Sequence, residues 1–128
     1  MANMAKKEVS ASIAAIDPYV AALLGKISEG KRVISIQKGK KIFSQGDPAD
    51  AIYFVQSGRV KVSVLSSAGK EAVLAILGPR HFFGEGALVG QSVRFSTATA
   101  VEPATLFQVE RRAMLRALHD QADRKSVV

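Results

Sequence analysis

The apolar positions change period once, early in the chain. Val20, Leu23, Leu24 and Ile27 recur at helical spacing. Asp17-Pro18 ahead of them supplies an N-cap carboxylate and a first-turn proline, and Gly30 supplies a stop. This pattern predicts a helix from Pro18 to about Ser28. After Gly30 the spacing shortens. Val33, Ile34 and Ile36 read as a strand that turns at Gly39, and Ile42-Phe43 lead into the turn signal Gln45-Gly46-Asp47-Pro48. Ile52 to Val55 is a strand, and Ser57-Gly58 is a turn. Val60, Val62 and Val64 alternate with Lys61 and Ser63 as in a half-buried strand. Ser66-Ser67-Ala68-Gly69 closes a hairpin into Glu71 to Leu77, which Gly78-Pro79 ends. Strands over Arg94–Val101 and Thr105–Val109 follow, separated by Glu102-Pro103. Glu110 to about His119 reads as a helix with Met114, Leu115 and Leu118 on one face.

Short strands at regular spacing with turns between them argue a mainly β sandwich or jelly roll with flanking helices, not a βαβ fold. A chain of 128 residues is long enough for one domain with a real core. The expected layout is a flexible segment over 1–16, a folded domain over 17–119 and a short tail over 120–128.

Charge and composition narrow the chemistry. The net charge of +7 is uneven: residues 1–41 carry eight basic against three acidic side chains, 42–102 five against five, and 103–128 five against three. A lysine-rich solvated surface accounts for this, and no interleaved aromatics mark a nucleic-acid face. The absence of cysteine excludes disulfides, thiolate iron–sulfur clusters and zinc–cysteine sites. No apolar run reaches membrane-span length, and the N-terminus lacks the apolar core of a signal peptide. A cytoplasmic protein without membrane association is expected. No Ser–His–Asp set or nucleophile elbow is present, and His81 and His119 are the only histidines. An enzyme is not expected, nor is a cofactor. His81 reads as a solvent-facing loop residue.

The densest chemistry lies in Phe82 to Glu102. The Gly84-Glu85-Gly86 turn opens onto Ala87 and Leu88, and Arg94 follows nine residues after Glu85. Backbone N–H groups from Gly84 to Ala87 suit an anion nest, and the Arg94 fork suits a phosphate. A carboxylate beside a phosphate site repels the ligand unless it accepts from a hydroxyl. A sugar phosphate offers both groups.

These residues resemble the phosphate-binding cassette of cyclic-nucleotide-binding domains. Phe83-Gly84-Glu85-Gly86-Ala87-Leu88 stands for that family's F-G-E-x-A-L, and Arg94-Phe95-Ser96-Thr97-Ala98-Thr99-Ala100 for its R-x-A-T-x-x-A. Ile42 to Asp50 resembles I-x-x-x-G-D-x-x-D, and Tyr53 to Gly58 resembles Y-x-x-x-x-G. The resemblance covers nearly the whole chain and is closest to the sensor domain of Crp/Fnr-type bacterial transcription regulators. It implies a double-stranded β-helix that binds a cyclic nucleotide, cAMP among the candidates. Gly84 and Ala87 would then serve the phosphate, Glu85 the ribose 2′-hydroxyl and Arg94 the phosphate. Leu74 and Phe83 would pack the base and sugar, with Ala75 where some relatives place a hydroxyl for the base. In that family a dimer helix and a helix-turn-helix follow the sensor. The expected partners are therefore a second copy or a DNA reader outside this chain, with no sequence-specific DNA binding by these residues alone.

Three departures bear on the expectation. Gly86 stands where the family often has Leu, and its role reads either as a turn glycine or as a loss of preorganisation. Arg80-His81 replace Gly-Asp, which predicts backbone strain. Phe95 replaces a small residue. If 94–101 is an alternating strand, Ser96 shares the face of Arg94 and Phe95 turns into the core. Two alternatives stay open: a sensor of the same fold that binds no nucleotide and acts by dimerisation, and a cupin-type metalloenzyme.

Overall fold

The computed structural model describes residues 18–126; the segment expected to be flexible, 1–16, lies outside them. Helix α1 spans Pro18–Lys26. The strands are β1 Lys31–Ile36, β2 Lys41–Phe43, β3 Ala51–Ser57, β4 Val60–Leu65, β5 Glu71–Leu77, β6 Phe82–Phe83, β7 Thr97–Ala100 and β8 Ala104–Glu110. A 3-10 turn over Glu85–Val89 joins β6 to the loop before β7, and helix α2 runs Arg111–Ser126. Two four-stranded antiparallel sheets result, in the orders β1-β8-β3-β6 and β2-β7-β4-β5. This is the jelly-roll arrangement expected.

Two apolar clusters sandwich the first sheet. Between the sheets lie Phe43, Tyr53, Val55, Val60, Leu77, Phe83 and Leu106 with small residues such as Ala98 and Ala100. On the outer face Ile52 and Val109 meet Leu23, Leu24 and Ile27 of α1 and Met114 of α2. Strand β3 is thus covered on both sides, which is why Ala51 to Val55 reads as a continuous apolar run rather than an alternation. Leu115 is 41% exposed: Met114 and the part-buried Leu118, four apart, take the inner stripe, and Leu115 turns out of it. No helix among the described residues is long and apolar enough to cross a membrane.

Gly58 makes the β3–β4 turn at φ 85°. A Cβ there would collide with the Pro103 carbonyl oxygen, so glycine is required both by the dihedral and by the neighbouring backbone.

Three expectations are corrected. The last helix continues past His119 to Ser126. Residues 120–126 are therefore not a separate tail; they lack apolar period but contain good helix formers. Ser63 is buried rather than solvent-facing. The β4–β5 register runs Val62↔Ala75 and then Ser63↔Val73, leaving Leu74 as the extra residue of a bulge, and Lys61, then Ser63, hold the Glu71 carboxyl below its usual pKa. Strand β7 begins at Thr97, not at Arg94. The two-residue β6, pairing Tyr53↔Phe83 and Phe54↔Phe82, is too short to show a period.

Candidate ligand site

Arg94 is placed by the turn at 44–49 rather than by a strand. Its N–H donates to the Asp47 carbonyl at 2.8 Å, and its carbonyl accepts from the Gly46 N–H at 2.8 Å. A bridge pairs Pro48 with Val93, and the Ala49 N–H donates to Ser92 at 3.0 Å. The Asp47 carboxylate in turn accepts the Ser44 N–H at 2.8 Å and holds the turn. Two motifs some fifty positions apart in the chain are thereby stitched together.

The Arg94 side chain runs inward and is only 3% exposed. Nη1 donates to the Gly84 carbonyl at 3.1 Å and Nη2 to the Ala51 carbonyl at 2.6 Å. The guanidinium lies 4.2 Å from the Phe43 ring centre and 5.8 Å from that of Tyr53. Phe43, Tyr53 and Phe83 form one aromatic platform, with Tyr53 and Phe83 stacked at 5.2 Å. Burial draws the Arg94 pKa down, while Tyr53, Asp50, Asp47 and Glu85 draw it back; a guanidinium stays charged throughout.

Gly84 is the close-approach residue. It caps the 3-10 turn at φ 81°, and a Cβ on it would stand 2.9 Å from Arg94 Nη1. Glu85 follows, half-buried. Burial pushes its carboxyl up from 4.5 to about 7, partly offset by its own backbone N–H and by Arg94. Among the described residues, the only buried side-chain polar atoms without a hydrogen-bond partner are Glu85 Oε2 and Arg94 Nε. Leaving such atoms unpaired is costly. Both residues line one cleft of about 120 Å³.

Of the nine predicted site residues, Phe83, Gly84, Glu85, Gly86, Arg94, Phe95 and Ser96 line this cleft, together with Phe43, Val62 and Gln91. Ala87 does not: it is buried behind the turn, its N–H directed to the Gly84 carbonyl at 3.3 Å. Leu74 does not either: the bulge leaves it part-buried against the core between the sheets. Ala75 is core. Phe95 is 66% exposed rather than in the core, because residues 94–96 precede β7 and do not alternate as a strand. Gly86 is not a positive-φ glycine, whereas Arg80 takes φ 74°, the strain expected from losing glycine there. His81 is part-buried, its Nδ1 accepting the Gly78 N–H at 3.0 Å, so it fastens the turn before β6. Sequence reasoning missed Phe43, Tyr53 and Gln91. The first two read as core, and Gln91 lay in the stretch between the motif halves.

A larger groove of about 850 Å³ lies by the starts of β1, β3 and α2. Lys31, Arg32, Arg111 and Arg112 line it together with Asp50 and Glu110. It has mixed charge and holds neither unpartnered buried atom, so the smaller cleft is the better candidate.

The sequence model of the family described as "Cyclic nucleotide-binding domain" matches residues 33–121. The chain belongs to this family. It is 40% identical over 84 residues to the "Cyclic AMP receptor protein" of Thermus thermophilus, covering 63% of this chain and 39% of that one. It is 36% identical over 107 residues to the "Global nitrogen regulator" of Synechococcus elongatus, covering 80% and 48%. Among solved structures, the sensor domain of the transcriptional regulator DNR from Pseudomonas aeruginosa superposes with a TM-score of 0.73 at 32% identity, over 80% of this chain and 69% of that one. The chain spans less than half the length of these two curated relatives and corresponds to the sensor part of Crp/Fnr-type regulators. In this cyclic-nucleotide-binding domain, the glycine turn, the carboxylate and the arginine of the cassette converge on one cleft.

Proposed function

We propose that this domain binds a cyclic nucleotide, cAMP foremost, in the cleft between Glu85 and Arg94, and passes the bound state to a transcription regulator. The observation that carries the reading is that Glu85 and Arg94, which bear the unpartnered buried atoms Oε2 and Nε, line one cleft. A cyclic ribose phosphate has the complementary groups: phosphate oxygens accept from the guanidinium, and the 2′-hydroxyl donates to the carboxylate. The aromatic platform under Arg94 and the Gly84 carbonyl keep the fork oriented beforehand, which lowers the cost of binding. The nucleotide biases the position of the cassette and of α2 only by its differential affinity for the two arrangements. The role is regulatory rather than catalytic, and any DNA reading or dimerisation belongs to the assembled regulator.

One observation favours a second reading, a sensor of this fold that binds no nucleotide. The cleft of about 120 Å³ is below the roughly 300 Å³ of an ordinary small-molecule pocket, so nucleotide entry requires the cleft to widen. Titration calorimetry with cAMP and cGMP decides between them. Saturable heat with cAMP that disappears in Arg94→Ala supports the first reading, and no heat with either nucleotide supports the second.

A further inference from the structure

The loop after the 3-10 turn brings a residue into the cleft that the motif passes over. Gly90 ends the turn at φ 90°, and the Gln91 N–H returns to the Gly86 carbonyl at 3.1 Å. The Gln91 carboxamide then lies over Gly86. A Cβ built on Gly86 would stand 2.6 Å from Gln91 Oε1, 2.8 Å from Cδ and 3.0 Å from Nε2. All three carboxamide atoms crowd the space that any larger residue at 86 would need. Gly86 has no left-handed φ to satisfy, so its backbone does not demand glycine; what a Cβ would meet is the end of the Gln91 side chain, which would have to move aside. The carboxamide is half-buried, lines the cleft with Glu85 and Arg94, and makes no hydrogen bond to another described residue. It offers one acceptor and two donor hydrogens without charge. Near a carboxylate and a guanidinium, such a group matches a ligand edge bearing both a hydroxyl and phosphate oxygens.

Resting on the cyclic-nucleotide reading above, we infer that Gln91 is a further ligand-contacting, specificity-determining residue for the sugar–phosphate edge, and that Gly86 is small in order to admit it. A negative charge at 91 would face both Glu85 and the phosphate, so the neutrality of the amide is part of the selection.

The test is titration calorimetry with cAMP on the wild type and on Gln91→Met, Gln91→Glu, Gly86→Ala, the Gly86→Ala/Gln91→Met double variant and Arg94→Ala. Methionine keeps the length of the side chain and removes the amide. Gln91→Met should weaken cAMP binding about tenfold, the loss of one hydrogen bond to a charged group, and Gln91→Glu should weaken it further. Gly86→Ala should match Gln91→Met, because its Cβ displaces the carboxamide, and the double variant should be no weaker than either single one. Thermal midpoints without nucleotide should stay at the wild-type value in the Gln91 and Gly86 variants, whereas Arg94→Ala also loses its bonds to the Gly84 and Ala51 carbonyls. Wild-type affinity in Gln91→Met, or losses that multiply in the double variant, overturns the role of Gln91. Binding lost in Arg94→Ala but kept in Gln91→Met overturns that role alone. No binding of cAMP or cGMP by the wild type overturns the cyclic-nucleotide reading and the role with it.

Discussion

Replacing Glu85 by glutamine should make the protein more stable at alkaline pH and leave it unchanged in acid. Burial raises the Glu85 carboxyl from 4.5 to about 7 in the folded chain. Between those values the folded state holds a proton that the unfolded state has released. Relative to pH below 4.5, stability therefore falls as pH rises through about 7, and the full cost is present above it. At about 1.4 kcal/mol per pH unit the ceiling is about 3 kcal/mol. Glu85 is only half-buried, and solvent screening reduces the cost to about 1–2 kcal/mol. Glutamine keeps the shape and cannot ionise. Urea unfolding of wild type and Glu85→Gln at pH 4.5, 6 and 8 measures the difference, and the m-value checks that the unfolded state is the same. Arg94, Asp47 and Asp50 face the site identically in both proteins, so the pH-dependent difference isolates Glu85. The expected gain is near zero at pH 4.5 and about 1–2 kcal/mol at pH 8. A wild-type–variant difference that does not move with pH, or a less stable variant at pH 8, refutes the reasoning.

Three further outcomes follow from the same geometry. Arg94→Ala should lower cyclic-nucleotide affinity by about 2–5 kcal/mol, read by calorimetry, and should also destabilise the protein by about 1–3 kcal/mol because the Gly84 and Ala51 carbonyls lose their donor; unchanged affinity argues against a phosphate at Arg94. The wild type should prefer a cyclic ribonucleotide over its 2′-deoxy analogue by roughly 1–3 kcal/mol, and Glu85→Ala should erase the preference; equal binding of the two analogues by the wild type removes the role given to Glu85. In a gel-shift assay at physiological salt, residues 1–128 should not discriminate a palindromic operator from scrambled duplex, since charge alone gives only salt-sensitive attachment; a reproducible tenfold preference, about 1.4 kcal/mol, overturns that expectation.

The parts of the fold that obey local periodicity were legible in the sequence. The helix after Pro18, the strands around Val33, Ile52, Val60 and Glu71, and the turn at Gly58 all appear where spacing and turn chemistry put them. The Gly84-Glu85 turn and Arg94 were legible because their residue types are unusual in that order. What escaped was decided by contacts between distant segments. Arg94 to Ser96 look like the start of a strand, but the Arg94 backbone is paired with Gly46 and Asp47 instead. Ser63 and Leu74 were misplaced by a single extra residue in β5, which no period reveals. Phe43 and Tyr53 look like ordinary core in the sequence, and only the folded chain shows the Arg94 cation resting on them. The Gln91 contact with Gly86 depends on the reversal at Gly90, a backbone event that the apolar pattern does not record.

The peptide-to-peptide link between Arg94 and the turn at 46–47 sets the kind of change this protein tolerates. Its partners are a carbonyl at 47 and an N–H at 46, groups that nearly every amino acid supplies. Several side chains along 44–50 can therefore drift over evolutionary time while the arginine stays put, apart from Asp47, whose carboxylate holds the Ser44 N–H, Gln45, which accepts the Leu65 N–H, the buried Ala49, the glycine that φ 94° favours at 46 and the proline that a donating N–H forbids there. Length is another matter. One inserted or deleted residue shifts the chain by about 3.3 Å, more than the span of the bond it would have to keep. Spelling is negotiable in this turn; its metre is not.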